Sequence, residues 1–340
     1  MQPQRTREQI NLAKIVLGIG TSHTPMLNLT AAQWQHRAAA DLANRELNLS
    51  DGRRLTYEEL LAERGPRYEA DTALEVMTRR EHACQAALDK LQQALADAAP
   101  DVVVIVGDDQ SELFSHANQP AFAIFHGESM VTHVGKYAEG APDWLRQVGR
   151  GYYMDEHYTL PAAPTLALQL IEGLMEHDVD VASVAHVVDT SKAGFGHAYG
   201  FVIKRLFRRS IPVVPVMLNT YFSPNVPKAS RCYDIGEKLR QVIEASPGNE
   251  RVAVVASGGL SHFIVDDDLD LQVLDAMRRG DREQLRGIPR NALKSGSSEI
   301  LNWILTAGAV NHLKLGWSEY QPLRRTAAGT GVGAAFCIWQ

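Results

Sequence analysis

The stretch Val102-Val103-Val104-Ile105-Val106, stopped by Gly107, limits the fold more than any other part of the chain. Consecutive β-branched residues favour an extended backbone, and successive side chains of a strand point to opposite faces, so both faces of this one are apolar. Such a strand has to be covered on both sides, as in a largely parallel sheet held between layers of helices. Ile15–Ile19, Ile211–Leu218 and Arg251–Ala256 read as further buried strands, and Ala121–Phe125 as a shorter one. Between His82 and Ala98, Cys84, Leu88, Leu91 and Leu95 recur at helical spacing. Pro164–Met175, Tyr233–Ala245, Leu269–Gly280 and Glu299–Ala307 carry the same kind of pattern, and Gly200–Leu206 reads as the start of another helix.

The alternation predicts an α/β fold: a single domain spanning 1–340, a central mostly buried β-sheet flanked by helices, and a site at the strand ends. Leu27–Arg80 is polar and helix-prone, with Thr56-x-x-Glu59 as a capping box, which predicts an inserted helical segment near residues 30–80. Val179–Val188 reads as a strand, Phe336–Trp339 as a last short one, and Glu128–Leu160 carries no firm signal.

Composition narrows the function. With 45% hydrophobic and 22% charged residues the chain is an ordinary globular one, and a net charge of -6 provides no basic field for nucleic acid or an anionic membrane. Small-molecule chemistry is the remaining expectation. No apolar run reaches the length of a membrane span, and the apolar stretch after Met1–Gln9 is broken by Asn11 and Lys14, so a cytoplasmic location is expected. Cys84, Cys232 and Cys337 form no C-x-x-C pair and read as core thiols.

Three strand ends share one grammar, an apolar run followed by a glycine-containing or polar turn. They are Thr21-Ser22-His23, Gly107-Asp108-Asp109-Gln110 and Gly258-Gly259-Leu260-Ser261-His262. Glycines there let the chain turn sharply and leave room for a ligand. Taken singly, His23 also fits a hydrogen-bonded loop histidine, and Asp108-Asp109 a solvated turn or a helix cap.

Taken together and in order, Ser22-His23-Thr24-Pro25, the strand ending near Asp109, Ser257-Gly258-Gly259-Leu260-Ser261-His262, and Ser295-Gly296-Ser297-Ser298-Glu299-Ile300 with Trp303 resemble the class III extradiol ring-cleavage dioxygenases. The resemblance implies a non-haem Fe(II) held by two histidines and a carboxylate, leaving one face of the metal for a catechol-like substrate and O₂. His23 matches the first histidine and Glu299 the carboxylate. The position of the second histidine, after Asp109 and ahead of Phe114, is Gln110 here. A carboxamide is a poorer ligand for Fe(II) than an imidazole. The third ligand is therefore open between Gln110, Asp109 or Asp108, the carboxylates favouring a harder ion such as Mn²⁺ or Mg²⁺, and His116 or His126 from nearby segments. Loss of the metal, as in non-catalytic partner subunits, also stays open, as does a metal-dependent non-oxidative enzyme.

The resemblance further implies that His262 is the acid–base residue and that His197 takes the place of a second active-site histidine. Pro25, Thr220 and Tyr221 are implied to line the substrate pocket; Arg231 reads either as a holder of an acidic substituent or as a surface residue, and Trp303 as a packing anchor of the Glu299 helix. The expected partners are a small phenolic substrate, O₂, and further copies of the chain in a homo-oligomer or a partner subunit.

Overall fold

The computed structural model describes residues 11–340, so the reading of Met1–Gln9 lies outside the described residues. Nine strands form one mixed sheet: β1 (Lys14–Thr21), β2 (Val102–Asp108), β3 (Phe122–Phe125), β4 (Ala182–Val184), β5 (Val213–Leu218), β6 (Arg251–Ser257), β7 (His262–Ile264), β8 (Leu315–Arg324) and β9 (Thr330–Trp339). Their order across the sheet is β7-β9-β1-β6-β2-β5-β3-β4, with β8 pairing the other side of β9. β1, β6, β2 and β5 run parallel. β9 runs antiparallel to β1, β7 and β8.

The two-residue period of β2 decides how the layers form. Val102, Val104 and Val106 face the helices Pro164–Glu176, Ala229–Ala245, Asp267–Arg279 and Ile300–Ala309. Val103 and Ile105 face Leu74–Ala98 and His197–Leu206 on the opposite side. Every residue of β2 is buried, as its composition required. Cys84, Cys232 and Cys337 are free thiols inside these layers. Among the described residues no helix is long and apolar enough to cross a membrane.

Where the structure departs from the sequence reading, pairing explains it. Only Ala182–Val184 of the expected Val179–Val188 strand is extended, because this edge strand finds partners only along Ala123–Phe125. The last strand is longer than expected and starts at Thr330, since it is paired on both flanks along much of its length. One of those partners, β8, gives no sequence signal: Leu-Gly-Trp-Ser-Glu-Tyr-Gln-Pro-Leu-Arg lacks β-branched residues, and its extended form follows from its register on β9.

The inserted segment contains the helices Gln35–Leu42 and Tyr57–Arg64, with a two-stranded ribbon, Leu47–Asn48 against Arg54–Leu55, between them. The expected capping box is present: Thr56 Oγ1 accepts from Glu59 N at 3.2 Å and the Glu59 carboxylate accepts from Thr56 N at 2.8 Å. A buried ion pair ties this segment to the end of β8, with Arg325 donating to Asp41 at 2.8 and 2.9 Å. The stretch without a sequence signal forms a small ribbon, Ser129–Val131 against Thr159–Pro161, and the helix Asp143–Gly151.

In the parallel part of the sheet the register sets Thr21 beside Ser257 and Asp108 beside Leu218. The carboxyl ends of β1, β6, β2 and β5 therefore come out along one edge, which is where open α/β sheets hold ligands.

Candidate metal centre

His23, Asp108 and Glu299 come together at that edge. Each contributes one atom able to bind a metal, and these atoms all lie within 4.8 Å of one another. All three side chains are buried. His23 follows β1, Asp108 ends β2, and Glu299 closes the 3₁₀ turn Ser295–Glu299 that leads into the helix Ile300–Ala309. Trp303 anchors that helix as expected. Its indole Nε1 donates to Gly258 O at 2.9 Å, and its ring lies so close over Gly20 that an added Cβ would sit 2.1 Å from it.

The hydrogen bonds around His23 determine its tautomer. Ser257 Oγ has one proton and donates it to Ala198 O at 2.6 Å, so the Nδ1–H of His23, 2.9 Å away, must be the donor to Ser257. The tautomer of the neutral ring is then set, with the lone pair of Nε2 directed at Glu299 Oε2, 3.3 Å away. Two acceptors facing each other in a buried site require a proton or a cation between them. Asp108 adds a second carboxylate, so the donor set of one imidazole and two carboxylates fits a divalent ion.

The carboxylates are held differently. Glu299 Oε2 accepts from Gly259 N at 2.7 Å, and Oε1 faces His262 Nε2 and Gln110 Nε2, each at 3.3 Å. Burial works to raise the Glu299 carboxyl, but His262, and His23 when a proton rather than a cation lies between it and Glu299, hold it well below the usual carboxylate range. Asp108 accepts from Gln110 Nε2 at 3.1 Å and from Asn302 Nδ2 at 3.3 Å. Burial first, and the Glu299 charge second, push it up to about 6.

The structure thus separates the candidates for the third ligand. Asp108 lies in the cluster. Asp109 turns into its own loop, where its carboxylate accepts from the backbone N–H groups of Leu113 (2.7 Å), Phe114 (3.1 Å) and Ser111 (3.2 Å). Gln110 presents its amide nitrogen to both carboxylates and so acts as a donor between them. His126 is hydrogen-bonded to Ser183 at 2.9 Å and His116 packs on Phe222, both outside the cluster.

His262 lies across Glu299 from His23. Its Nδ1 meets Leu260 O at 2.8 Å, where only an N–H can bond, which leaves Nε2 facing the Glu299 carboxylate. Burial opposes charge on this ring, yet Glu299 outweighs it and raises His262 above the ordinary histidine value. The ring lies against Gly296, where a Cβ would come within 1.9 Å of it, so the residue just after Ser295 has to be glycine for His262 to reach Glu299.

His197 packs edge-on against His23, with centroids 4.6 Å apart. Its Nδ1 bonds Glu112 Oε1 at 2.8 Å; despite burial, that carboxylate carries His197 up to about 9. Glu112 also accepts from Gln110 N at 2.6 Å and so joins the β2 loop to His197. Glu112, Ser257 as a hydrogen-bond partner and Asn302 were not singled out by the sequence. Each acts through a residue distant in the chain, and no local pattern marks that.

The cleft over the cluster is lined by Pro25, Gln110, Tyr152, Tyr221, His197, His262, Phe263 and Glu299, and by residues of the inserted segment and of the Glu128–Leu160 stretch. Thr220 is buried and faces a neighbouring cleft that shares Tyr221 as a wall. Arg231 lies in the helix Ala229–Ala245 and lines neither cleft.

A family model described as the catalytic LigB subunit of aromatic ring-opening dioxygenase matches residues 74–333. The chain belongs to this family. The match contains Asp108, His197, His262 and Glu299 and begins after His23. A 2,3-dihydroxyphenylpropionate/2,3-dihydroxicinnamic acid 1,2-dioxygenase of Comamonas testosteroni is 28% identical over 183 residues, covering 52% of this chain and 49% of the relative. Gallate dioxygenase of Pseudomonas putida is 30% identical over 112 residues, or 30% and 32% of the two chains. The aligned stretch spans about half the length, or less, of these curated relatives.

Proposed function

We propose that the chain is a metal-dependent extradiol-type dioxygenase that opens the ring of a small phenolic substrate, of catechol, gallate or aminophenol type, with O₂. One observation carries this reading most strongly. Ser257 directs the lone pair of His23 Nε2 at Glu299 within a buried cluster that also contains Asp108. His23, Asp108 and Glu299 would hold Fe(II). When bound, that ion supplies the Lewis acidity that draws two adjacent ring oxygens to the site and the redox chemistry that lets O₂ react.

The remaining work falls to the chain's own residues. His262 carries a proton at Nε2 beside Glu299, and its raised pKa lets it keep that proton near neutrality and give it to a substrate oxygen at the site, the ring returning to its neutral form. His197, held charged by Glu112, adds positive charge beside the ring oxygens and so favours their ionised form. Tyr152 fixes the loop of His23 by donating to its carbonyl at 2.6 Å. Phe263 and Tyr221 supply aromatic walls that exclude water from the ring.

Anaerobic purification, metal analysis and O₂ uptake with a panel of catechols, gallates and aminophenols test the reading. Stoichiometric iron and O₂ consumption coupled to ring opening are expected. Full-rate cleavage by metal-free protein would overturn it. A second reading, with Mn²⁺ as the resident ion, is favoured by the exchange of an imidazole for the Asp108 carboxylate, and the same metal analysis separates the two.

A further inference from the structure

His262 reaches Glu299 through a backbone that is held from several sides. Its Nδ1 bonds Leu260 O at 2.8 Å, so the bond closes over Ser261, and the backbone angles of Ser261 decide whether it forms. Ser297 clamps the histidine's own peptide groups: its Oγ accepts from His262 N at 3.0 Å and donates to His262 O at 3.1 Å. On β9, Gly333 accepts from Leu260 N at 3.0 Å and donates to Ser261 O at 2.9 Å. The two donors of Ser261, its N–H and its hydroxyl, both turn to Asp270.

Ser261 N donates to Asp270 Oδ1 at 2.7 Å, and Ser261 Oγ donates to Asp270 Oδ2, also at 2.7 Å. The same Oγ accepts from Asp266 N at 2.8 Å, which leaves its proton for the carboxylate. Asp270 lies near the start of the helix Asp267–Arg279 and is fully buried. Its third donor is the Tyr320 hydroxyl at 2.8 Å, so all three partners are neutral. A Cβ on Gly333 would come within 1.8 Å of Asp270 Oδ2, so β9 carries no side chain where the carboxylate lies. Burial pushes the carboxyl up to about 7 against the pull of these hydrogen bonds. A buried carboxylate among neutral partners is costly to keep. What it provides is two acceptor oxygens on one side chain, one for each donor of Ser261, where an amide of the same shape has one.

We propose that Asp270 is a positioning residue for His262. By holding both donors of Ser261 it sets the backbone angles that bring Leu260 O to Nδ1 and leave Nε2 facing Glu299. Asp270 itself lines neither cleft and acts only through Ser261. The consequence for turnover rests on the ring-opening reading, but the placement of the His262 ring can be measured without turnover.

The test follows the His262 ring by heteronuclear NMR in the full chain, labelled at histidine and loaded with Zn²⁺ as a diamagnetic ion. Absence of the signal in His262→Asn assigns it. The parent should show an Nδ1–H far downfield and protected from exchange. Asp270→Asn keeps the size but holds only one Ser261 donor in place, and Asp270→Ala holds neither. The signal should move upfield and broaden in the first and vanish in the second. In step with it, kcat for O₂ uptake with catechol should fall by about tenfold and by up to about hundredfold, with KM changed less. Tyr320→Phe removes a hydrogen bond from the same carboxylate without touching Ser261, so it should lower the melting temperature yet leave the signal in place. Thermal melts check that the variants fold; if Asp270→Ala does not, Asp270→Asn against Tyr320→Phe decides. The proposal is overturned by absence of the downfield signal in the parent or by an unchanged signal in the folded Asp270 variants. A signal displaced as far by Tyr320→Phe as by Asp270→Asn overturns it too. Loss of the signal in the variants, with no O₂ uptake by the parent on any phenol, leaves the positioning role standing and removes the ring-opening reading. O₂ uptake by the parent, with signal and kcat unchanged in the variants, does the reverse.

Discussion

Ser257→Ala tests the reasoning about the metal centre at its most exposed point. Ser257 touches no substrate; it accepts from His23 Nδ1 at 2.9 Å and passes its own proton to Ala198 O at 2.6 Å. Alanine leaves Nδ1–H without an acceptor in a residue that is only 3% exposed. The proton then gains by moving to Nε2, where Glu299 Oε2 stands 3.3 Å away, and a metal must displace it. A net hydrogen bond of about 1 kcal/mol corresponds to roughly fivefold in affinity, and outer partners of metal ligands commonly account for about ten- to hundredfold. Iron binding should therefore weaken by about ten- to hundredfold. Ala198 O also loses its donor, at about 1–3 kcal/mol, so the melting temperature should fall by a few degrees while the protein stays folded. Anaerobic Fe(II) titration against a chromophoric chelator measures the affinity, and a thermal melt of the metal-free protein monitors the fold. Iron affinity within about threefold of the parent, in a variant with a cooperative melt, would refute the role given to Ser257 and with it the assigned tautomer.

Gln110→His should raise the preference for Fe(II) over Mn²⁺, because an imidazole beside Asp108 and Glu299 adds a nitrogen donor; competitive loading followed by metal analysis reads the ratio. The metal-free protein should lose stability as pH rises from 6.5 through about 9. His197 keeps a proton in the folded state across that window while the unfolded chain releases it, so its contribution is fully present below about 6.5. Melts at several pH values should show that slope, and Glu112→Gln should flatten it; an equally steep slope in the variant would argue against the Glu112 pairing. Gly20→Ala should cost about 1–3 kcal/mol by overpacking against Trp303, seen as a melting temperature lowered by several degrees. An unchanged melt there would mean that the helix Ile300–Ala309 can shift freely, contrary to its role in presenting Glu299.

Much of the architecture was readable locally. β-branched runs with a two-residue period specify strands buried on both faces, and Val102–Val106 alone demanded helical layers on either side. The glycine-containing turns after those strands pointed to one edge of the sheet, and His23, the Asp108 loop and His262 do meet there. β8 was not readable, because a strand without β-branched residues is extended only by its partner, here β9. Nor was the short hairpin of Ser129–Val131 with Thr159–Pro161, whose segments are too brief for periodicity to show.

The sequence by itself determined which groups reach the carboxyl edge of the sheet, since strand propensity and glycine turns act over a few residues. It also showed that Gln110 stands where the family resemblance calls for a histidine. Only the tertiary structure decided which of the neighbouring carboxylates joins His23 and Glu299. Asp108 and Asp109 are chemically identical neighbours, but alternation along an extended chain sends them in different directions. One meets His23 and Glu299, and the other is taken up by the N–H groups of Ser111, Leu113 and Phe114. The tautomer of His23 was likewise decided at a distance, by a serine 234 residues away that gives its only proton to a backbone carbonyl. Hydrogen-bond direction depends on the complete set of partners, and that set exists only once the chain has folded.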